Sequence, residues 1–414
     1  MLYKTKYIAV ILILFGSCTS DLLAQFGQLD LRISGNQKRV EIPFTFENNF
    51  IVVPVLFANL IPVNFIVDTG AEHTIILDQT LTDIVSANYQ REFEIVGSDL
   101  STTITALLAI GIDMRIGNNL LAKNRSVLVL TDHDFNFEGM TGIPIAGILG
   151  GDFLMRFVLE IDYRRQVLRL HEPSSFKPPK KFEALPAHFE RNRPYLQTEI
   201  NISNNRSISK RLLVDSGASL SLLLFFQPEE DIPLPDTTIL SPIANGLGGQ
   251  ILGTVGRARN LQIGSYQMGG MIMFFQDFPE YLDSLDIKRD GLIGNRALKR
   301  FHLFIDYPRQ QVYAQSVGRW PSEFPYDRSG LTVSAGGPNL TRYQIINVVP
   351  GSPAARAGLL PGDFIRRLNG TPGALLTLSG INKKLEGKVG RRIKIVAERQ
   401  GYIFRVEFRL KDII

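Results

Sequence analysis

The chain has 414 residues, 44% of them hydrophobic and 21% charged, with 36 Gly and 22 Pro. That much apolar material supports two or three packed domains and excludes a wholly disordered or collagen-like chain. A single cysteine, Cys18, excludes an intrachain disulfide framework and a thiolate metal cluster. The formal charge of +5 is unevenly placed: residues 320–414 hold 15 Lys and Arg against 7 Asp and Glu, so a basic tail follows an acidic body. Such a split predicts two functional units, not one nucleic-acid-binding surface, and no nucleic-acid partner is expected.

In chain order, residues 1–24 read as an export signal. Lys4 and Lys6 precede the apolar run 7–15, which is too short to span a bilayer, and Ala24-Gln25 offers a cleavage point. The competing expectation is a lipid anchor at Cys18, within Phe15-Gly16-Ser17-Cys18. Either way the body is expected outside the cytoplasm, in the periplasm or cell envelope.

The body repeats itself. Phe65-Ile66-Val67-Asp68-Thr69-Gly70-Ala71 recurs as Leu212-Leu213-Val214-Asp215-Ser216-Gly217-Ala218, and Met114-Arg115-Ile116-Gly117 recurs as Leu261-Gln262-Ile263-Gly264. The offset from Asp to that Gly is 49 in both copies. Gly147-Ile148-Leu149-Gly150 then matches Gly291-Leu292-Ile293-Gly294, and Ile161-Asp162-Tyr163 matches Ile305-Asp306-Tyr307. Ordered matches at near-constant spacing predict a tandem duplication, with lobes at 40–172 and 190–315 related by a pseudo-twofold. Apolar runs broken by Gly, Asn and Pro predict a mainly β fold, with short helices near 77–87 and 279–285. Residues 177–186, rich in Pro and Lys, read as the connector between lobes, and 319–329 as a second boundary.

An apolar strand ending in Asp-Thr/Ser-Gly sets a carboxylate at a tight turn, where Gly lets the backbone approach its counterpart. Thr69 and Ser216 can hydrogen-bond across to the opposite turn. Two such turns would place Asp68 and Asp215 about 3 Å apart, sharing one proton. That pair can act as general base and general acid on a water and an amide, with no metal or other cofactor required. The same tripeptide occurring once would be an ordinary turn; its recurrence with matched partners points to a dyad.

Over about 40–315 the two lobes resemble aspartic proteases of the pepsin/retropepsin class. Asp68-Thr69-Gly70-Ala71 and Asp215-Ser216-Gly217-Ala218 match the catalytic motif, and Ile148-Leu149-Gly150 and Leu292-Ile293-Gly294 match the hydrophobic-hydrophobic-Gly motif behind it. The resemblance implies Asp68 and Asp215 as catalytic residues, supported by Thr69, Gly70, Ser216 and Gly217, acting on protein or peptide substrates. A tyrosine-type flap motif is not evident. By position the flap candidates are Asn245-Gly246-Leu247-Gly248-Gly249-Gln250 and Val96-Gly97-Ser98-Asp99, with a plain surface hairpin as the competing reading. His73 lies close enough in sequence to act on the dyad; five scattered His without paired spacing offer no metal site.

Residues 325–412 resemble a bacterial PDZ domain through Pro350-Gly351-Ser352-Pro353-Ala354, Ala357-Gly358-Leu359, Gly362-Asp363 and Asn369-Gly370. The whole chain thus looks similar to bacterial aspartyl proteases that end in a PDZ domain. A helix is predicted over 378–385. Exposed amides at Gly330, Leu331, Thr332 and Val333 would hold a peptide and its terminal carboxylate, with Arg342 as a further anion contact. The sequence therefore predicts an exported aspartic endopeptidase with a peptide-recognition module. Its rival is a catalytically silent peptide-binding scaffold on the same fold.

Overall fold

A computed structural model describes residues 31–35, 37–96, 103–131, 136–203, 206–226, 232–246, 249–277, 290–318 and 324–414. The export segment, Cys18 and the helix expected at 279–285 lie outside the described residues, as do the flap-candidate positions 97–99 and 247–248. The described residues are mainly strands, gathered in sheets of nine, six, eight and six. None of their helices is long and apolar enough to cross a membrane.

The nine-stranded sheet contains β1 (Phe50–Phe57) and β2 (Ile61–Val67). All but two residues of β1 are buried, as a strand covered on both faces requires. It is entered through the two-residue turn Asn48-Asn49, whose positive φ angles of 46° and 68° asparagine tolerates. Helix α1 (Phe137–Thr141) is capped by Asn136, which accepts from the Gly139 N–H, and ends at Gly142. Next, β3 (Gly147–Leu149) inserts between β2, to which it is parallel, and Ile75–Ile76, to which it is antiparallel.

Strand β4 (Val158–Asp162) belongs to a different, six-stranded sheet. The eight-stranded sheet follows, with β5 (Arg206–Val214) and β6 (Gly291–Ile293). Here β6 lies parallel to β5 and antiparallel to Leu222–Phe226, so the pairing seen around β3 occurs a second time. Then β7 (Phe301–Asp306) pairs antiparallel with β4, from Val158↔Asp306 to Asp162↔His302. The sheet they centre also takes in Arg39–Pro43 and Gln311–Ser316, so both halves of the body contribute to it. One apolar core runs through these layers, including Phe57, Phe153, Phe275 and Phe301.

The C-terminal unit has its own core and sheet, with β8 (Leu331–Gly336) at one edge and α2 (Leu378–Leu385) beside it. Thr377 caps α2, which buries Leu378, Ile381 and Leu385 at helical spacing. The expected helix at 378–385 is therefore present to the residue, and the short helix near 77–87 is found at Gln79–Ile84.

Both expected boundaries are more integrated than linkers. Glu183–Leu185 joins the shared sheet opposite Val312–Ala314. In the second, the Arg300 guanidinium lies 3.4 Å over the buried Phe324 ring, and Arg257 donates to the Phe324 carbonyl at 3.0 Å. Proline-rich or polar composition signalled a break in the chain, but aromatic residues within each stretch found apolar partners.

Candidate active site and peptide groove

Asp68 and Asp215 each stand one residue beyond a strand, β2 and β5. Their N–H groups donate to Leu149 and Ile293 carbonyls, both at 3.0 Å, so each aspartate is tied to the strand inserted beside it. The Asp68 Oδ1 accepts from the N–H groups of Gly70 (2.7 Å) and Ala71 (3.0 Å), and Asp215 Oδ1 accepts from Gly217 (2.8 Å). Each carboxylate is thereby held in place by amides of its own turn.

The two turns interlock. Thr69 Oγ1 donates to the Val214 carbonyl at 2.6 Å and accepts from the Ser216 N–H at 3.0 Å. Reciprocally, Ser216 Oγ donates to the Val67 carbonyl at 2.7 Å and accepts from the Thr69 N–H at 3.0 Å. Both hydroxyls are fully buried and fully satisfied, which favours one fixed arrangement. The carboxylates cross over: a Cβ on Gly70 would lie 2.8 Å from Asp215 Cγ, and one on Gly217 only 2.2 Å from Asp68 Cγ. Glycine is therefore required at both positions by the opposite aspartate.

Behind each turn lies a buried tyrosine. Burial, and secondarily the Asp215 charge, push the Tyr163 hydroxyl far above its ordinary value, so it stays a donor. It donates to Asn295 Oδ1 at 2.6 Å, and Asn295 Nδ2 donates to the Ser216 carbonyl at 2.6 Å, bracing the second turn. Tyr307 is raised in the same way, by burial and then by Asp68, but its hydroxyl has no hydrogen-bond partner among the described residues. The position matching Asn295 is Gly151, so the first turn lacks this brace. The Asn295 support was invisible in the sequence because the repeat there reads Gly-Gly in one copy and Gly-Asn in the other.

His73 is buried, with Nε2 4.0 Å from Glu72 Oε1, and its backbone carbonyl crowds Gly150. Strands Thr238–Gly246 and Gly249–Ile263 pair up to Gly246↔Gly249, which places the second flap candidate at a hairpin end.

The expectation that the histidines are scattered needs correction. Glu160 on β4 meets His171 Nε2 at 2.7 Å, His302 Nε2 at 2.9 Å and Arg169 at 2.6 Å, because the shared sheet aligns these strands. Burial raises its pKa, but hydrogen bonds from both histidines and the Arg169 charge outweigh that and hold it well below the carboxylate range. Glu160, Asp162 and His302 present ligand atoms within 4.8 Å of one another. Arg169 already supplies the positive charge there, 3.9 Å from Asp162, so the cluster reads as an ion-pair network and not as a metal seat.

The groove of the C-terminal unit also departs from expectation. Asp327, half-buried, accepts from the Ser329 N–H (3.1 Å), the Ser329 hydroxyl (2.6 Å) and the Gly330 N–H. The Leu331 N–H donates to Ser329 Oγ at 3.2 Å. The amides expected to face an incoming carboxylate at Gly330 and Leu331 are thus already used, while Thr332 and Val333 line open cavities. Burial pushes the Asp327 carboxyl up to about 6 against the lowering by these donors. Arg342 lies at the far end of the strand pair, opposite Gly336, with its guanidinium 4.1 Å over Phe364, and so does not reach this loop. At that end α1 closes on the unit: Ser334 Oγ donates to the Gly139 carbonyl at 3.2 Å, and Asn382 on α2 donates to Asn48 at 3.2 Å.

A family model described as a PDZ domain matches residues 344–399. The matched stretch contains α2 and begins after β8. No curated protein matches the chain. The C-terminal unit is a PDZ domain, and the protein is mainly β with that domain at its C-terminal end.

Proposed function

We propose that this chain is an exported aspartic endopeptidase, built from two duplicated lobes that each contribute one aspartate, with the PDZ domain assisting peptide recognition. The observation that carries this reading is the crossed geometry of Asp68 and Asp215, each facing the other turn's glycine while Thr69 and Ser216 lock the turns together. Carboxylates held that closely cannot both ionise, so one keeps a proton. The ionised member takes a proton from water as the water oxygen bonds to the peptide carbonyl carbon. The other member donates its proton to the carbonyl oxygen. The first then passes the water's proton to the amide nitrogen as its bond to carbon breaks, while the second takes a proton back from a hydroxyl of the intermediate, leaving a carboxylic acid, an amine and the singly protonated pair. Rigid turns suit this chemistry because neither carboxylate has to be recruited during the reaction.

The second reading, a silent peptide-binding scaffold, draws on the PDZ match itself. Purified chain lacking residues 1–24, incubated with casein with and without a statine-type inhibitor, separates the two. Inhibitor-sensitive cleavage is expected, and Asp68→Asn or Asp215→Asn alone should lower it about 10³-fold with an unchanged melting temperature. Turnover above a tenth of the parent rate in either variant would reject the dyad.

A further inference from the structure

Two cavities, of about 200 Å³ and 170 Å³, lie where the PDZ domain meets the body. They share Pro242, Phe274, Arg296, Tyr326, Thr332 and Asn382 on their walls, so they lie side by side in one recessed region. One end reaches Ser219 and Leu220, four and five residues past Asp215; the other reaches Asp327 and Gly330. Along β8 the usual route for a strand-like ligand is closed twice. At Ser334 the helix α1 sits over it, and at Gly330 the Asp327 carboxylate occupies the anion cradle from within. What is left of the PDZ groove adjoins the segment just past the Asp215 turn, at Ser219 and Leu220.

We propose that this recess is a distal specificity pocket of the cleft, formed jointly by body and PDZ domain, which takes an internal tyrosine side chain of the substrate and not a free chain end. This rests on the endopeptidase reading above. The chemistry of the walls selects the side chain. Leu220, Ile272, Phe274 and Val333 offer apolar surface for a ring, and the Thr332 hydroxyl and the Asn382 amide oxygen offer polar partners for a hydroxyl, Asn48 being already engaged by Asn382 and Met140. An aromatic body with one polar tip matches such a mixed pocket better than an aliphatic or a charged side chain does. A terminal carboxylate finds no welcome, because the donors that would bind it already serve Asp327.

The test uses fluorescein-labelled decapeptides tiled through casein, each made with tyrosine intact or replaced by alanine, and with a free or amidated C-terminus. Binding to the full-length Asp215→Asn protein is followed by anisotropy. Among tiles that bind, Tyr→Ala should weaken affinity about tenfold, and amidation should change it less than about twofold. Filling the recess with Thr332→Trp, or from the opposite wall with Asn382→Trp should the first variant melt early, should abolish the tyrosine preference, bringing each tyrosine peptide down to the affinity of its alanine counterpart. Asp327→Ala frees the cradle and should create a preference for the free carboxylate. Tenfold loss on amidation in the parent, a tyrosine preference that survives both fillings, or absence of binding by every tile would overturn the proposal. Cleavage of the same tiles by the parent protein reports separately on the dyad: tiles that bind with tyrosine selectivity yet remain intact would sink the chemistry and leave the pocket standing.

Discussion

Alanine at Gly217 is the sharpest perturbation of the crossed turns. Its methyl carbon would sit 2.2 Å from both Cγ and Oδ2 of Asp68, whereas alanine at Gly70 would come no closer than 2.8 Å to Asp215. Ordinary contact begins at 3.4 Å. Asp68 must therefore retreat by about 1.2 Å, twice the roughly 0.6 Å asked of Asp215. A retreat of that size breaks the hydrogen bonds that Gly70 and Ala71 make to Asp68 Oδ1. Since about 1 Å of misplacement lowers turnover roughly 10²-fold, Gly217→Ala should lose about 10²-fold or more in kcat and Gly70→Ala about tenfold. Overpacking should also destabilise Gly217→Ala by roughly 1–3 kcal/mol. The assay pairs kcat on a fluorogenic casein-derived peptide with urea unfolding of both variants and of the double variant Gly217→Ala/Asp68→Ala. Removing the carboxylate removes the clash, so the double variant should recover most of the lost stability. Equal effects at the two glycines, or strict additivity in the double variant, would refute the crossed geometry.

Two further predictions concern pH and buried charge. Because folding raises the Asp327 carboxyl from 3.8 to about 6, its contribution is full below pH 4 and is lost as pH rises through 6. Comparing Asp327→Asn with the parent at pH 4 and pH 7, the stability difference should swing by about 2.4 kcal/mol in the variant's favour at the higher pH, and a flat difference would show that the group titrates normally. Glu160 behaves oppositely: held low in the fold, it stabilises above about pH 4.5 and loses that contribution on acidification. Glu160→Gln should cost about 3 kcal/mol at pH 7, since it removes the carboxylate that Arg169, His171 and His302 all bond, and much less at pH 2; a loss under about 1 kcal/mol at neutrality would argue that the network is dispensable.

The Asp-Thr/Ser-Gly copies were legible because everything they need lies within seven consecutive residues and recurs at fixed spacing. The PDZ domain was legible for a similar reason, since its turns carry Pro and Gly at short, characteristic intervals. The Glu160 network was not. Its members are assembled by register across three strands, with Asp162 facing His302 and Val158 facing His171, and no spacing along one strand encodes that. Asp327 was missed for a different reason. The signal was local, an Asp two residues before Ser-Gly, which is the pattern of a side chain folding back onto its own turn, but the same glycine also fits a ligand-binding loop. The Asn295 brace lay hidden at a position where the two copies differ, Gly151 in one and Asn295 in the other.

The central sheet bears on how this protein is made. Its middle strands, β4 and β7, come from opposite halves of the body, and it also takes in Arg39–Pro43 from near the body's start and Gln311–Ser316 from near its end. Thr69 and Ser216, which must bond to each other, are 147 residues apart. A chain emerging from a ribosome or an export channel in order can therefore hold a finished first turn long before the second exists. Contacts of such long range form late and slowly. The carboxylate pair cannot come together until nearly all of the body has been delivered and has closed its sheet. Assembly itself thus postpones the meeting of Asp68 and Asp215 until the body is nearly complete.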